Sequence, residues 1–260
     1  MADVAIELTG VGRTFAGQDG RREVQALADV SLQVFEGEFV SLVGPSGCGK
    51  STVLNLVAGL ARASRGTVRV RGRALDGIHP DIGYVFQRDT LLPWRSVLDN
   101  VALGPELRGV ARDERQRRAL ELIRKVGLGA FEHHYPYELS GGMRKRCELI
   151  RTLINRPAIL LMDEPFGALD AQTRYLLQED LLRMWRDARS TIVFVTHDIG
   201  EAIALSSRVL VMSRRPGRIL RDFAVRLPER RSAVAAQSSP EFSAHFEEIW
   251  GILRGELSEL

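Results

Sequence analysis

The sequence predicts an α/β protein: a mixed core with an antiparallel β subdomain at its N-terminus and a helical subdomain inserted in its middle. Three observations carry this. Short alternating segments open the chain, as in antiparallel strands. Apolar runs of strand length then recur between helical patterns as far as residue 212. From Thr90 to Pro157 the strand signals fade, and helical patterns separated by Pro93, Pro105, the Gly127/Gly129 pair and Pro136 take over.

Residues 6–8 and 30–34 alternate on either side of the Gly/Asp/Arg-rich loop 16–22, the pattern of antiparallel strands. Residues 38–43 form an apolar run ending in a glycine-rich turn, after which Val53, Leu54, Leu56, Val57 and Leu60 recur at helical spacing. That turn therefore joins a strand to a helix. Further strands are expected at 67–70, 82–86, 159–162, 191–195 and 209–212. Past Pro228 the segment 230–240 is polar and small, and Phe242, Phe246, Ile249, Trp250 and Leu253 mark one face of a terminal helix over 240–257. The division expected is a domain over 1–227, its helical lobe at about 90–157, and a C-terminal extension over 228–260. No repeat of solenoid period is visible.

Composition narrows the class. The 260 residues are 45% hydrophobic and 27% charged, which excludes disordered, collagenous and coiled-coil chains. Two cysteines make no disulfide framework and suit a reducing compartment. The N-terminus lacks the basic and apolar regions of a secretory signal, and no window approaches the roughly 18 apolar residues of a membrane span. Work at a membrane is thus expected from outside the bilayer. A net charge of +3 is too mild to argue for nucleic acid, and none is expected as a partner. Of 36 basic residues only Lys50, Lys125 and Lys145 are lysines. A lysine where this chain would otherwise use arginine is expected to have a task, Lys50 first among them.

Gly44-Pro45-Ser46-Gly47-Cys48-Gly49-Lys50-Ser51 matches G-x-x-x-x-G-K-[ST] between a buried-type strand and a helix. The glycines let successive N–H groups curl round a phosphate, and the helix N-terminus adds its positive end. Lys50 supplies a point charge to the outer phosphates, Ser51 can ligate Mg²⁺, and Thr52 completes the nucleotide-binding set with residues 44–51. Four apolar residues, 159–162, then deliver Asp163 and Glu164 to a strand end, where open α/β sheets place ligands. Asp163 is expected in the Mg²⁺ shell and Glu164 as the general base toward water. His197, closing the strand 192–195, and Gln87, closing 82–86, have the same placement. His197 is expected at the phosphate, Gln87 at the Mg²⁺ and the lytic water.

Leu139-Ser140-Gly141-Gly142 precedes a helix with Met143, Leu149, Ile150, Leu153 and Ile154 on its apolar side. The ordered set of phosphate loop, Gln87, Leu-Ser-Gly-Gly, Met-Asp-Glu-Pro, Ala168-Leu169-Asp170 and His197 resembles the ATP-binding-cassette (ABC) transporter ATPases over roughly residues 4–227. The resemblance implies a P-loop ATPase core within an ABC nucleotide-binding domain, with ATP and Mg²⁺ as cofactors. It implies that Phe15 stacks on adenine, and that Ser140, Gly141 and Gly142 meet the γ-phosphate held by a second copy in a head-to-tail dimer. Asp170 would sit across that interface. Residues 91–101, 166–174 and 211–219 are similar to the nitrate, sulfonate and taurine uptake group. That implies a bacterial importer with a transmembrane permease and, indirectly, a solute-binding protein, the chain lying peripherally on the cytoplasmic face of the inner membrane.

Other readings stay open. A cassette ATPase acting on DNA or ribosomes would carry a coiled-coil insertion or a second cassette; a P-loop small-molecule kinase would not need Leu-Ser-Gly-Gly or His197; a nucleotide-sensing regulatory subunit would bind ATP without turnover. Two departures from the family pattern stand out, Met143 in place of Gln and Cys147-Glu148 in place of a small apolar pair. Helical spacing sets Glu148 beside Arg151 and Thr152, predicting a solvated salt bridge. Leu91, Leu92 and Trp94 fit either a permease groove or the core of the lobe, and Arg214, Arg215 and Arg218 are expected in a solvated loop. No zinc site is argued for His133-His134 or the cysteines.

Overall fold

A computed structural model describes residues 3–16, 23–227 and 236–258. The chain opens with β1 (Val4–Ala16) and β2 (Glu23–Phe35), followed by β3 (Phe39–Val43), α1 (Lys50–Val57), β4 (Arg65–Val70), β5 (Arg73–Ala74) and β6 (Ile82–Val85). Four helices come next: α2 (Val97–Val101), α3 (Leu103–Leu107), α4 (Arg112–Lys125) and α5 (Gly141–Leu153). The remainder is β7 (Ile159–Asp163), α6 (Ala171–Ala188), β8 (Thr191–Val195), α7 (Ile199–Leu205), β9 (Arg208–Met212), β10 (Ile219–Ala224) and α8 (Pro240–Ser258). Most of the loop expected at 16–22 and most of the polar stretch 230–240 lie outside the described residues.

Two sheets result, an antiparallel one of order β2-β1-β4-β5 and a six-stranded one of order β10-β9-β3-β8-β7-β6. In the second, β3 runs parallel to β8 and β9, and β7 runs parallel to β8 and β6, with β10 antiparallel at the edge. Every residue of β3, β7 and β8 is buried. Strands covered on both faces read as continuous apolar runs, which is why the sequence pattern located them. The parallel directions bring the C-terminal ends of β3, β6, β7 and β8 to one edge of the sheet.

Four apolar clusters hold this frame. One joins the two sheets around Leu54 and Leu56 of α1. A second lies between the large sheet and α6, through Phe194, Leu177 and Leu181. The third is the lobe's own, built from Val97, Val101, Ile123, Leu128 and Ile150. The fourth lies under α7 and α8, where Ile203 and Val211 meet Ile249 and Leu253.

The structure departs from expectation in places. The first two strands run for 13 residues each, with register shifts that absorb the irregular pattern. Helix α1 stops at Val57, leaving Leu60 outside it and exposed. On α8 only Ile249 and Leu253 of the expected face are buried, with Phe242 partly covered, while Phe246 and Trp250 are exposed. Residues 242, 249 and 253 share one narrow line of the helix, and 246 and 250 fall on its flank. Among the described residues no helix is long and apolar enough to cross a membrane.

Candidate functional site

Buried β3 delivers Gly44 to the sheet edge, and α1 begins at Lys50. Between them Gly49 takes φ 106° as the helix cap, and a Cβ there would lie 2.6 Å from Leu27 Cδ2 and 3.1 Å from the Ala26 carbonyl. Conformation and space both demand glycine. Lys50 is buried, and its Nζ donates to the carbonyls of Gly44 at 2.8 Å and Pro45 at 3.1 Å. Its ammonium thus rests on the loop's own oxygens. Ser46 and Gly47 are exposed, Thr52 is half-buried, and Cys48 is buried beneath the loop. Burial pushes the Cys48 thiol upward despite the nearby Lys50 charge, so it stays protonated.

Buried β7 ends in Asp163, whose Oδ1 accepts from the Ser51 hydroxyl at 3.0 Å. Burial raises the Asp163 carboxyl above its usual range; the Ser51 hydrogen bond opposes this, the Glu164 charge adds to it, and Lys50 opposes it. A buried carboxylate beside a hydroxyl at the phosphate loop is a hard-oxygen pair of the kind Mg²⁺ takes, so these residues fit that ion. Tyr84 lies alongside, its hydroxyl donating to Asn55 Oδ1 at 3.3 Å, and burial followed by the Asp163 charge raises that phenol.

Glu164 stands in the left-handed region at φ 42°, its N–H donating to the Val195 carbonyl at 2.9 Å. A non-glycine residue persists there when its surroundings over-determine it, as they also do at Asp29, Arg71, Arg156 and Arg189. Its Oε2 accepts from Gln87 Nε2 at 3.1 Å and lies 3.1 Å from His197 Nδ1. Two side chains, from the ends of β6 and β8, therefore converge on one oxygen of Glu164 at the end of β7. Behind His197, the Thr196 hydroxyl donates to buried Glu201 at 2.7 Å and Gln178 donates to the same carboxylate at 3.1 Å. Sequence reading missed this support, because Gln178 and Glu201 lie on different helices.

The remaining candidates sit elsewhere. Ser140 caps α5, its Oγ accepting from the Met143 N–H at 3.3 Å, and Ser140 and Gly141 are exposed. Asp170 caps α6 in the same way, accepting from the Thr173 N–H at 3.0 Å, and this bond holds its carboxyl below the usual range. Among the described residues no hydrogen bond joins residues 140–142 or Asp170 to the phosphate loop. Phe15 is exposed near the end of β1, with the Arg13 guanidinium 4.4 Å over its ring.

Other expectations are corrected. Glu148 forms a salt bridge, to Lys145 at 2.8 Å, but it is buried at 2% exposure and also accepts from the backbone and hydroxyl of Thr90. Arg151 bonds to Thr90 instead of Glu148. Both the expected partner and the expected solvent exposure are corrected, because residues 86–90 cover that face of α5. Cys147 and Met143 pack into the lobe's core, and burial pushes the Cys147 thiol up to about 12. Leu91 belongs to that core too, whereas Trp94 is 72% exposed, so the two readings divide between them. In the loop after β9, Arg215 donates to the Gly47 carbonyl through Nε at 3.2 Å and Nη2 at 3.1 Å. Gly217 backs the phosphate loop from the same segment, close to Cys48.

A cavity of about 640 Å³ opens at the opposite end of the strands, where α4 meets Ile159, Arg189 and Thr191. None of the phosphate-loop or carboxylate residues lines it, so the chemistry lies elsewhere.

Residues 27–167 match the family described as ABC transporter. The chain is 51% identical over 243 residues to the taurine import ATP-binding protein TauB of Rhizobium johnstonii, covering 92% of each chain. It is 41% identical over 259 residues to the nitrate import ATP-binding protein NrtD of a Synechocystis species, covering 98% of this chain and 97% of that one. In structure it is similar to the ATP-binding cassette MJ0796, solved as a dimer in a post-hydrolysis state with ADP and Pi, at a TM-score of 0.74 and 34% identity over 85% of this chain and 99% of that one. Matching the family over more than half its length, and these relatives over nearly all of it, the chain belongs to the ABC transporter family, among its ATP-binding cassettes.

Proposed function

We propose that this chain is the ATP-hydrolysing subunit of an importer and that two copies close head to tail on two ATP molecules. The observation that carries the reading is the Glu164 carboxylate, held between Gln87 and His197 beside the Ser51–Asp163 pair. A water placed at Glu164 attacks the γ-phosphorus and forms a new P–O bond. The bond from that phosphorus to the β-phosphate oxygen breaks, its electron pair staying on ADP, and Glu164 accepts the water's proton. Lys50 leaves its two carbonyls for the outer phosphates, and backbone N–H groups among residues 46–52 cradle them. Ser51, Asp163 and Gln87 would hold Mg²⁺, which neutralises charge on the phosphate oxygens. His197 orients Glu164 and reaches the γ-phosphate, and Phe15 offers the ring face not covered by Arg13 to adenine.

Ser140 and Gly141 are exposed, Gly142 is half-buried beside Thr173, and none of the three bonds to its own phosphate loop, which supports their completing the partner copy's site, with Asp170 alongside. The names of the relatives, taurine import and nitrate import ATP-binding proteins, support uptake of a small solute of the nitrate, sulfonate or taurine type; a separate permease and, upstream, a solute-binding protein complete the reading. Exposed Trp94 beside the lobe suits permease contact. The chain would lie peripherally on the cytoplasmic face of the inner membrane, with residues 1–227 as the cassette and 228–260 as an extension docked through α8.

Glu164→Gln tests this reading. Turnover should fall about 10²- to 10⁴-fold, the usual worth of a general base, while an ATP-bound dimer accumulates in light scattering. Unchanged turnover, or no dimer with ATP, overturns it.

A further inference from the structure

Lys145 is one of only three lysines in the chain, and Glu148 departs from the family pattern. In the structure both join one device with Arg144 and Arg151. Lys145 Nζ donates to the carbonyls of Phe86 at 3.0 Å and Gln87 at 3.4 Å, and to Glu148 Oε2 at 2.8 Å. Glu148 Oε1 accepts from the Thr90 N–H at 2.5 Å and from its hydroxyl at 3.1 Å. Arg151 donates to the Thr90 carbonyl at 2.7 Å and to its hydroxyl oxygen, and Arg144 pairs with Asp89 at 2.9 Å. Four side chains along one face of α5 thus grip the segment 86–90. The Glu148 side chain is 3% exposed and that of Lys145 14%, so this is not a solvated surface pair.

A buried ion pair is costly to desolvate and is weak as a source of stability, which leaves specificity of position as its use. The position it specifies is that of Gln87. The side chain of Gln87 reaches the general base, while its carbonyl is held by α5. The same helix is capped by Ser140, the residue assigned to the partner copy's ATP. Close packing supports rigidity, since a Cβ on Gly83 of β6 would lie 2.7 Å from Thr152 Cγ2 of α5.

We propose that Arg144, Lys145, Glu148 and Arg151 are positioning residues that fasten the Gln87 segment to α5, so that the group sensing a chain's own ATP and the turn completing its partner's ATP move as one body. The clamp thereby couples the two nucleotide sites. This rests on the two-site dimer reading above. In each protomer a γ-phosphate that draws Gln87 inward also advances Ser140 toward the opposite site, and loss of the clamp uncouples the two.

The test uses the full chain and two double variants, each removing both charges so that no buried charge is orphaned. Lys145→Gln/Glu148→Ala removes the acceptor for Thr90. Lys145→Gln/Glu148→Gln keeps a neutral carbonyl there to accept from Thr90 and an amide on Lys145's site to reach the Phe86 carbonyl. The first should bind a fluorescent ATP analogue within about 2-fold of wild type, yet hydrolyse ATP about 10-fold slower or worse, as misplaced catalytic groups do. Its Hill coefficient should fall from above 1 in the wild type to 1. The second should recover most of the rate and the cooperativity. The proposal is overturned by a wild-type Hill coefficient of 1, by wild-type rate and cooperativity in the Ala-containing variant, or by equal defects in both variants. Glu164→Gln run alongside separates the two levels: if it traps a dimer while the clamp variants behave as wild type, the clamp alone fails, and if it traps none, the dimer reading fails first.

Discussion

Glu201 shows how a single residue behind the site can cost the fold something. It is buried, and burial raises its carboxyl above the usual range, opposed in part by the Thr196 hydrogen bond. A carboxyl with a raised folded-state value prefers to be neutral in the fold, so its charge destabilises the protein above that value. The penalty fades as pH falls through it. Gln178 Oε1 is a buried oxygen without a hydrogen-bond partner in this cluster, and an amide at 201 would offer it a donor. Glu201→Gln is therefore expected to raise the melting temperature by a few degrees at pH 7 to 8, with the gain shrinking toward pH 4. Thermal denaturation across that range checks it, and a lower melting temperature at neutral pH refutes it. At this scale the sequence was most legible where spacing encodes geometry: the phosphate loop, Asp163 and Glu164 needed only a strand end and a turn. Glu201, Arg215 and Glu148 were not legible as working residues, because their partners Gln178, Gly47 and Thr90 are brought to them by the fold.

Among the elements, the segment between β9 and β10 went unread, since Arg214, Arg215 and Arg218 look like an ordinary polar loop. It is instead a brace for the phosphate loop: Gly217 donates to the Ala26 carbonyl at 2.9 Å and accepts from the Ala28 N–H at 3.0 Å. A Cβ on Gly217 would lie 2.1 Å from the Cys48 carbonyl oxygen, a backbone atom that no rotamer change can move. Gly217→Ala should destabilise by about 1–3 kcal/mol through overpacking and should also weaken ATP binding, because the displaced carbonyl belongs to the loop that holds phosphate. Gly251→Ala on α8, where nothing lies within 4 Å of the added carbon, is the control, expected to gain about 0.5–1 kcal/mol from helix propensity alone. Urea titration and nucleotide binding read both. Strands β5 and β10 were overlooked for a related reason: they are edge strands, and Arg73, Arg221 and Asp222 are exposed within them. The buried strands β3, β7 and β8 were found because burial on both faces writes itself as an apolar run.

For the whole molecule, the broad division into sheets and an inserted lobe was legible from where strand signals fade, whereas the docking of α8 was not. Ile249 and Leu253 close an apolar cluster with Ile199, Ile203 and Val211, and Glu256 accepts from the Arg214 N–H at 2.8 Å. The terminal helix thus reaches the brace behind the phosphate loop. Ending the chain after Pro228 should lower the melting temperature and promote aggregation, and Ile249→Ala alone should cost about 2–5 kcal/mol. A truncated chain that melts like the intact one would show that α8 is dispensable to the fold.

The strand order carries a consequence for biosynthesis. The strand bearing the phosphate loop is complete at Val43, yet its two neighbours are Thr191–Val195 and Arg208–Met212, completed about 150 and about 170 residues later. At about 5–20 residues per second a ribosome needs on the order of ten to thirty seconds to supply them. Throughout that interval the apolar run of β3 has no partner on either side, and pairings so distant in sequence form slowly once they can. The nascent chain therefore cannot assemble its nucleotide pocket early and build outward from it. Cellular ATP can select only chains synthesised nearly to their end, and before then a chaperone able to shield an unpaired apolar strand is the relevant companion.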